Sequence, residues 1–480
     1  MVSVNRTGIL MKPDASRVFF RPFIPGNIHR MRRIHNQVDA MTEEQTSIEL
    51  ARIMEEFRHR HKQIEVYLMT QFNNVCQELQ CSRDISENRK LLIGACFTQE
   101  YSMESAALFN PSIILHPDQT NLSDGDMRFI ISLRATGEGH ISSIVFRSGT
   151  IKTDQTIVIE TPTRYVTSAE IKHPVHFDKS SFSKKLYELG IMNNFSDSVM
   201  GLLDQNFDLN QLINAIDAIR ELPFIDDYLN SGSDMVALAR NNYEVTYTAD
   251  KELSERIIFP YGANESNGIE DARFVRFLKE DGSFIYYATY TAYNGSTIYP
   301  QLLETEDFLH FRISTLNGNE ASNKGMALFP RKINGKFWMI SRQDGENIFV
   351  MHSDRVFSWR NKQLILKPKY TWEYVQMGNC GSPIETEAGW LVLSHGVGPM
   401  RKYSIGAFLL DLDDPTKLIG RLEQPLMSPD MHEREGYVPN VVYSCGAMLH
   451  GETLIIPYAM SDSASSIATV NMEELLAAMV

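Results

Sequence analysis

The sequence predicts an all-β fold: a five-bladed β-propeller carrying a helical N-terminal extension and a helical insertion between blades one and two. Three observations lead there. Through most of the chain a polar turn precedes a short aromatic or β-branched run, the pattern of paired strands. Five such units recur at irregular spacings once a helical zone is set aside, which marks a repeat architecture. The units read as antiparallel throughout, and radial repetition of antiparallel sheets limits their exposed edges. A β-sandwich is the alternative reading.

The helical extension covers about residues 1–95. Thr42 with Gln45 has the form of a capping box. After it Leu50, Ile53, Met54, Phe57, Ile64, Leu68, Phe72 and Val75 recur at helical spacing as far as Leu79, as one long helix or two broken ones. Its single apolar stripe serves packing onto the main body, with a dimer contact, and so a homo-oligomer, as the alternative. The basic cluster Arg58-His59-Arg60-His61-Lys62 reads as a solvated face. The propeller occupies 96–480. Its first unit is Asp124-Gly125-Asp126 followed by MRFIISLRATGEG. The helical insertion follows at about 175–245, with Asp208 as a cap. Then come DGS before FIYYATYTAY, NGK before FWMISR, EAG before WLVLSHG and HGE before TLIIPYAMSD.

A net charge of −14 excludes a general binder of nucleic acid or of anionic membranes. Five cysteines without a C-x-x-C pair indicate neither a disulfide framework nor a zinc site. The start of the chain has no signal pattern, and no apolar run approaches the ~20 residues that span a bilayer, so a cytoplasmic location is expected. The histidines follow no metal-binding spacing, and neither metal nor cofactor is expected. His140 in TGEGH reads as a turn histidine in water.

The repeat makes a functional prediction. Each apolar strand ends in a group with binding or catalytic potential: Arg134, then Tyr290 and Tyr293, Arg342, His395 and Asp462. Alone, each is an ordinary surface residue. Around a common axis they gather at one mouth. Glu270 and Asp271 open the strand ahead of FIYYATYTAY, after Gly268, which permits close approach of backbone or ligand. Arg273, two residues on, shares a strand face with Asp271. Its charge would hold one carboxylate ionised and leave the other for proton transfer.

NGIEDARF, YTAYNG, GMALFPRKINGKFWMISR, GSPIETEAGWLVLSHGV and GYVPNVVYSCG with YAMSD, in that order, resemble glycoside hydrolase family 130, the β-mannoside phosphorylases and related β-mannosidases. The resemblance covers roughly residues 105–160 and 255–470 and leaves the extension and the insertion outside. It implies a five-bladed propeller with an axial mannoside pocket. Asp271 falls on the aspartate of the family's E-D-P-R motif and would be the general acid, its proton relayed through a hydroxyl of the bound mannose. Asn110, Arg134, Glu270, Arg273, Tyr293 and Asp462 match positions that hold the non-reducing sugar. Arg342 and His395 match the phosphate site, with Tyr403 and Lys324 as companions.

The residue types suit phosphorolysis of a β-mannoside oligosaccharide by inorganic phosphate as co-substrate. Phosphate is itself the nucleophile, so the protein supplies one acid and a cationic cradle. An inverting hydrolase, the alternative, needs a second carboxylate ~6.5–9.5 Å away, and Glu385, Glu433 and Glu435 are its candidates. A non-catalytic glycan-binding propeller is the other alternative. Ala272 replaces the family's usual proline, Gln343 another, and Gln376 stands where phosphorylases commonly place a lysine.

Overall fold

A computed structural model describes residues 2–172, 176–221, 228–295 and 297–480, and the statements below concern those residues. They form five antiparallel sheets of four to six strands, with two further two-stranded pairs. In chain order, the innermost strands of the five sheets are Ala107–Leu115, Ile269–Leu278, Ala327–Leu328, Gln376–Asn379 and Val442–Tyr443. From each the chain meanders outward, through Met127–Thr136 and Ser142–Ile151 in the first sheet, and through Phe284–Tyr293 and Ile298–Thr305 in the second. Several strands are apolar along both faces: Gly389–Val397 is buried at every position. Strands covered on both faces read as unbroken apolar runs, which is why WLVLSHG shows no alternation.

Backbone donors link each sheet to the next. Phe274 N donates to Ser112 Oγ at 3.2 Å, Leu278 N to Pro330 O at 2.8 Å, and Met377 N to Glu346 O at 3.2 Å. Tyr403 N donates to Asn440 O at 3.0 Å, and Leu108 N closes the series on Ser463 O of the fifth sheet at 3.0 Å. The hairpin tips 137–141, 398–402 and 461–463, and the turn from Arg342, belong to these linked sheets.

The N-terminal stretch is not helical from its start. Val4–Met11 is a strand paired with Ala464–Asn471, so the outer edge of the fifth sheet comes from the beginning of the chain. The pairing covers the edge of Ala464–Asn471 and makes Val4–Met11 the outermost strand of that sheet. Val18–Pro22 pairs with Thr98–Ser102. Four helices follow: α1 (Ile28–Asp39), α2 (Glu43–Phe57), α3 (Ile64–Leu79) and α4 (Glu87–Cys96). The Thr42–Gln45 capping box forms, and Gln63 in the left-handed region breaks the long apolar pattern into two helices. Leu50, Ile64, Leu68, Phe72 and Val75 are buried within the chain, so internal packing uses the stripe.

The basic cluster is a solvated face only in part: Arg58 and His59 are exposed, while the rest is engaged. Arg60 donates to both Glu100 oxygens at 2.8 and 3.0 Å, His61 meets Glu100 at 2.6 Å, and Lys62 reaches the buried Glu255 at 2.5 Å. It fastens the helices to the sheets. Cys76 and Cys81 are joined in a disulfide, which their spacing did not announce. Gln80 caps α3 in the left-handed conformation and turns the chain back, leaving the two Cα atoms 5.0 Å apart.

The insertion carries α5 (Lys179–Glu188), α6 (Asn194–Leu202), α7 (Leu209–Arg220) and α8 (Tyr228–Arg240) around their own core of Phe182, Leu186, Phe195, Val199, Leu212 and Ile216. Asp208 caps α7 as expected, accepting from Gln211 N at 2.7 Å. Of the stretch expected at 175–245, residues 175 and 222–227 lie outside the described residues. No described helix is long and apolar enough to cross a membrane.

Candidate active site

Two β-bulges, one in the first sheet and one in the second, shape the candidate site. Glu270 lies opposite Thr291 and Arg273 opposite Thr289, so the inner strand of the second sheet carries one extra residue. The first sheet repeats this, with Phe109 opposite Arg134 and Ser112 opposite Ser132. Bulges re-aim side chains. Each of these turns on a left-handed residue, Asp271 at φ 56° and Asn110 at φ 48°, side-chain types that tolerate that region. The two meet: Asn110 Nδ2 donates to Asp271 Oδ1 at 2.6 Å.

Arg134 straddles the acidic pair. Its guanidinium donates to Glu270 Oε1 at 2.9 Å and to Asp271 Oδ1 at 3.4 Å, while its Nε is held by Ser142 Oγ at 2.9 Å. Lys324 Nζ takes the other Glu270 oxygen at 2.5 Å. Burial pushes the Asp271 pKa up, but the charges of Arg134, Arg273 and Lys324 and the Asn110 hydrogen bond outweigh it. The net position is below the ordinary carboxylate value.

The Arg273 charge helps to hold Asp271 ionised, as expected, but its guanidinium does not meet the carboxylate in the way strand alternation would place it. The bulge breaks that alternation. Arg273 is buried, donates to the Asp271 main-chain carbonyl at 3.2 Å, and gives its other arm to the Tyr443 hydroxyl at 2.7 Å. Asp462 stands in the next tip with φ 52°. Burial, and then the negative charge of Asp271, push its carboxyl up to about 6 against the pull of Arg134 and Arg401.

The opposite wall is cationic and unpaired. His395 is fully buried, its ring stacked on Tyr403 at 5.9 Å and tilted against Tyr443 at 5.0 Å. A Cβ at Gly378 would lie 2.5 Å from His395 Cε1 and 2.6 Å from Arg342 Cδ, so only glycine lets the two side chains lie together. His395 Nε2 and Arg342 Nε are buried without a hydrogen-bond partner among the described residues. Burial, reinforced by the Arg342 and Arg273 charges, pushes the His395 pKa well below its ordinary value and keeps the imidazole neutral.

Other expected residues are placed differently. The Tyr293 hydroxyl bonds its own turn at Gly295 O, 2.8 Å, although its backbone exchanges hydrogen bonds with Asn267 and Gly268. Lys324 lies with Glu270 on the acidic side, while the next residue, Gly325, backs onto Arg342 Nε. Tyr290 is buried and donates to Glu265 at 2.6 Å, away from the mouth. The His140 ring faces the exposed Tyr437 at 5.6 Å. Sequence reasoning missed Tyr443, Arg401 and Glu265. Tyr443 stood within the quoted GYVPNVVYSCG stretch, its only signal; Glu265, which accepts from Tyr243, Tyr290 and two backbone amides, had none.

The second carboxylates considered for a hydrolase are engaged or remote. Glu433 accepts from Arg6, Tyr458 and Asp430 N. Glu385 is paired to Arg331 and sits opposite Trp390 in the short strand Ile384–Thr386. Glu435 is exposed on the loop after it. A cleft of about 780 Å³ opens elsewhere, between Arg128, Glu160, Arg256 and Phe308, and both arginines there are occupied by main-chain carbonyls. No group of three metal-binding side chains is gathered among the described residues.

A family model described as β-1,4-mannooligosaccharide phosphorylase, for glycoside hydrolase family 130, matches residues 223–480. A 1,2-β-oligomannan phosphorylase of Thermoanaerobacter sp. (strain X514) is 36% identical over 216 residues, 44% of this chain and 71% of that protein. A β-1,2-mannobiose phosphorylase of Listeria innocua is 30% identical over 259 residues, 52% of this chain and 69% of its own. The solved structure of β-1,2-mannobiose phosphorylase from Listeria innocua with β-1,2-mannobiose superposes with a TM-score of 0.45 at 20% identity, over 78% of this chain and 92% of the other. Since the family model spans more than half of the chain, and more than two thirds of the Thermoanaerobacter relative is matched, the chain belongs to glycoside hydrolase family 130.

Proposed function

We propose that the protein is an inverting phosphorylase of β-mannosides, releasing mannose 1-phosphate, and that its five sheets are the blades of a propeller whose axis is the mouth described above. The succession of sheet-to-sheet hydrogen bonds that returns from the fifth sheet to the first supports the propeller. On this reading residues 96–480 are the catalytic domain, with its helical insertion at about 175–245, and the first 95 form an extension that donates one strand to it.

One observation carries the activity. Arg342 Nε and His395 Nε2 are buried without partners among the described residues, and His395 lies against Tyr443, which holds Arg273 beside Asp271, the acidic group fixed by Asn110 and Arg134. Unsatisfied buried polar groups are costly and point to a ligand. A phosphate oxygen would satisfy both, the guanidinium by a charge-assisted bond and the neutral imidazole through its one N–H or its lone pair. Asn110, Arg134, Glu270, Arg273, Tyr293 and Asp462 then hold the non-reducing mannose, with Lys324 on that side through Glu270 and Tyr403 at the phosphate side.

In the reaction one phosphate oxygen bonds to the anomeric carbon as the bond from that carbon to the departing sugar oxygen breaks. The departing oxygen takes a proton from Asp271, relayed through a mannose hydroxyl. Asp271 is ionised in the free site, so substrate binding must raise its pKa. A phosphate anion on the opposite wall does this, because it offsets Arg273 and repels a carboxylate. The engagement of Glu433 and Glu385 by other partners supports phosphate over water as the nucleophile.

The test is incubation with β-1,2-mannobiose, with and without phosphate. Mannose 1-phosphate that forms only with phosphate is the expected product. Free mannose at a rate indifferent to phosphate would instead identify a hydrolase, and intact disaccharide in both arms a binding protein.

A further inference from the structure

We propose that Arg6, on the N-terminal strand, is a positioning residue for the substrate side of this mouth: it fixes the loop 428–440 against which Asp462 and Tyr403 rest. The inference rests on the mouth being the sugar site. Arg6 lies more than 200 residues before the stretch matched by the family model, so nothing in that match assigns it a part.

The contacts form an unbroken series. Arg6 Nε donates to Glu433 Oε1 at 2.8 Å and its terminal nitrogen to Glu433 Oε2 at 2.9 Å. The same nitrogen reaches Ser428 O at 2.8 Å, so one guanidinium ties the start of the loop to its middle. A planar fork of this kind fixes direction as well as distance. Glu433 is 4% exposed, and Tyr458 Oη at 2.6 Å and Asp430 N at 3.0 Å complete its shell.

From Glu433 the series continues to the site. Ser461 Oγ donates to Glu433 O at 2.6 Å, and Ser461 immediately precedes Asp462. Val438 N donates to Ser461 O at 3.2 Å, and Tyr403 N to Asn440 O at 3.0 Å. Ser404 and Ser428 share a hydroxyl bond at 2.8 Å. Between Ser428 and Asn440 the chain forms neither helix nor strand, so these side-chain bonds decide where it lies. The loop also carries Tyr437, whose ring faces His140 across the mouth. Without Arg6, Glu433 would be a buried carboxylate lacking its counter-charge, and the loop would move it toward water.

The experiment measures steady-state kinetics of the full chain with β-1,2-mannobiose and phosphate, and calorimetric mannobiose binding, for wild type, Arg6→Ala, Arg6→Lys and Asn5→Ala. Arg6→Ala is expected to raise KM and Kd for the mannoside about ten-fold with kcat within about three-fold, the signature of lost binding interactions. Arg6→Lys keeps the charge without the fork and is expected to fall between. Asn5 donates only to Thr469 on the same strand pair, and Asn5→Ala is expected to match wild type. A rise below about three-fold in both KM and Kd, or a loss of kcat at unchanged KM that tracks the folded fraction, overturns the proposal. Should Arg6→Ala fail to fold, Glu433→Gln is judged by the same limits. A wild type without phosphorolysis defeats the phosphorylase reading alone, since Kd still decides this one.

Discussion

The two walls of the mouth are built on opposite principles. On the sugar side the charges of Glu270, Asp271, Arg134 and Lys324 are paired with one another, and Asn110 is drawn in. On the phosphate side Arg342 and His395 are pressed together on a glycine, with buried nitrogens lacking partners. A paired wall is organised before the ligand arrives and loses little on binding. An unpaired wall is held in place by packing alone and gains most from an anion. On the proposed reading, the contrast means that the acid is set by its neighbours, whereas the phosphate site is completed by phosphate.

Breaking the paired wall is expected to have the largest effect. Asp271→Asn should lower kcat/KM by about 10²–10⁴, the usual range for losing an acid–base group. Its circular dichroism and mannobiose binding should stay near wild type. Activity within ten-fold of wild type would remove Asp271 from the chemistry.

The unpaired wall is next. Arg342→Gln should raise the phosphate KM by at least about ten-fold and leave phosphate-free mannobiose binding intact, since a lost charge-assisted bond is worth ~1.5–3 kcal/mol. Phosphate should also raise the Tm of the wild type, by linkage, and do so much less in the variant. Equal stabilisation of both proteins would place phosphate elsewhere.

Asp462 sharpens the comparison through pH. Its carboxyl is raised from 3.8 to about 6 in the folded protein, so its burial is tolerated fully below about pH 4 and becomes destabilising as pH rises through 6. Asp462→Asn should therefore stabilise the protein at pH 7.5, by about 1–3 kcal/mol, with the gain vanishing near pH 4. The same variant should bind mannoside less well. Thermal melts across that range decide it; a stabilisation that grows toward acid contradicts the assignment.

The smallest effect is expected at Glu385, which pairs with Arg331 at a partly exposed position of the strand Ile384–Thr386. Glu385→Gln should cost less than ~1 kcal/mol and leave turnover unchanged. A loss of hydrolysis in that variant would restore the two-carboxylate alternative.

The strands and their order were legible because turn residues and β-branched runs are local signals, and five units made them redundant. So were both expected helix caps, Thr42 and Asp208, which depend on neighbours three residues away. The strand Val4–Met11 was read as part of a helical stretch because its partner lies some 460 residues along the chain. The bulges at Asn110 and Asp271 were invisible for a related reason. Nothing in FNPS or IEDAR marks an extra residue, and register is known only when the opposite strand is in place.

What the chain composition and spacing determined alone was the inventory: which residues end which strands, and that an acid, a cationic cradle and a glycine-lined approach exist. Tertiary structure decided their partners. It put the Arg273 guanidinium on the Asp271 carbonyl and Tyr443, gave both carboxylates to Arg134, withdrew Glu433 for Arg6, and left Arg342 Nε and His395 Nε2 buried without partners among the described residues. The physical reason is range. Turns, caps and strand periodicity are set within a few residues, but a charge is governed by what lies within about 4–6 Å, and at this mouth those neighbours come from every part of the chain.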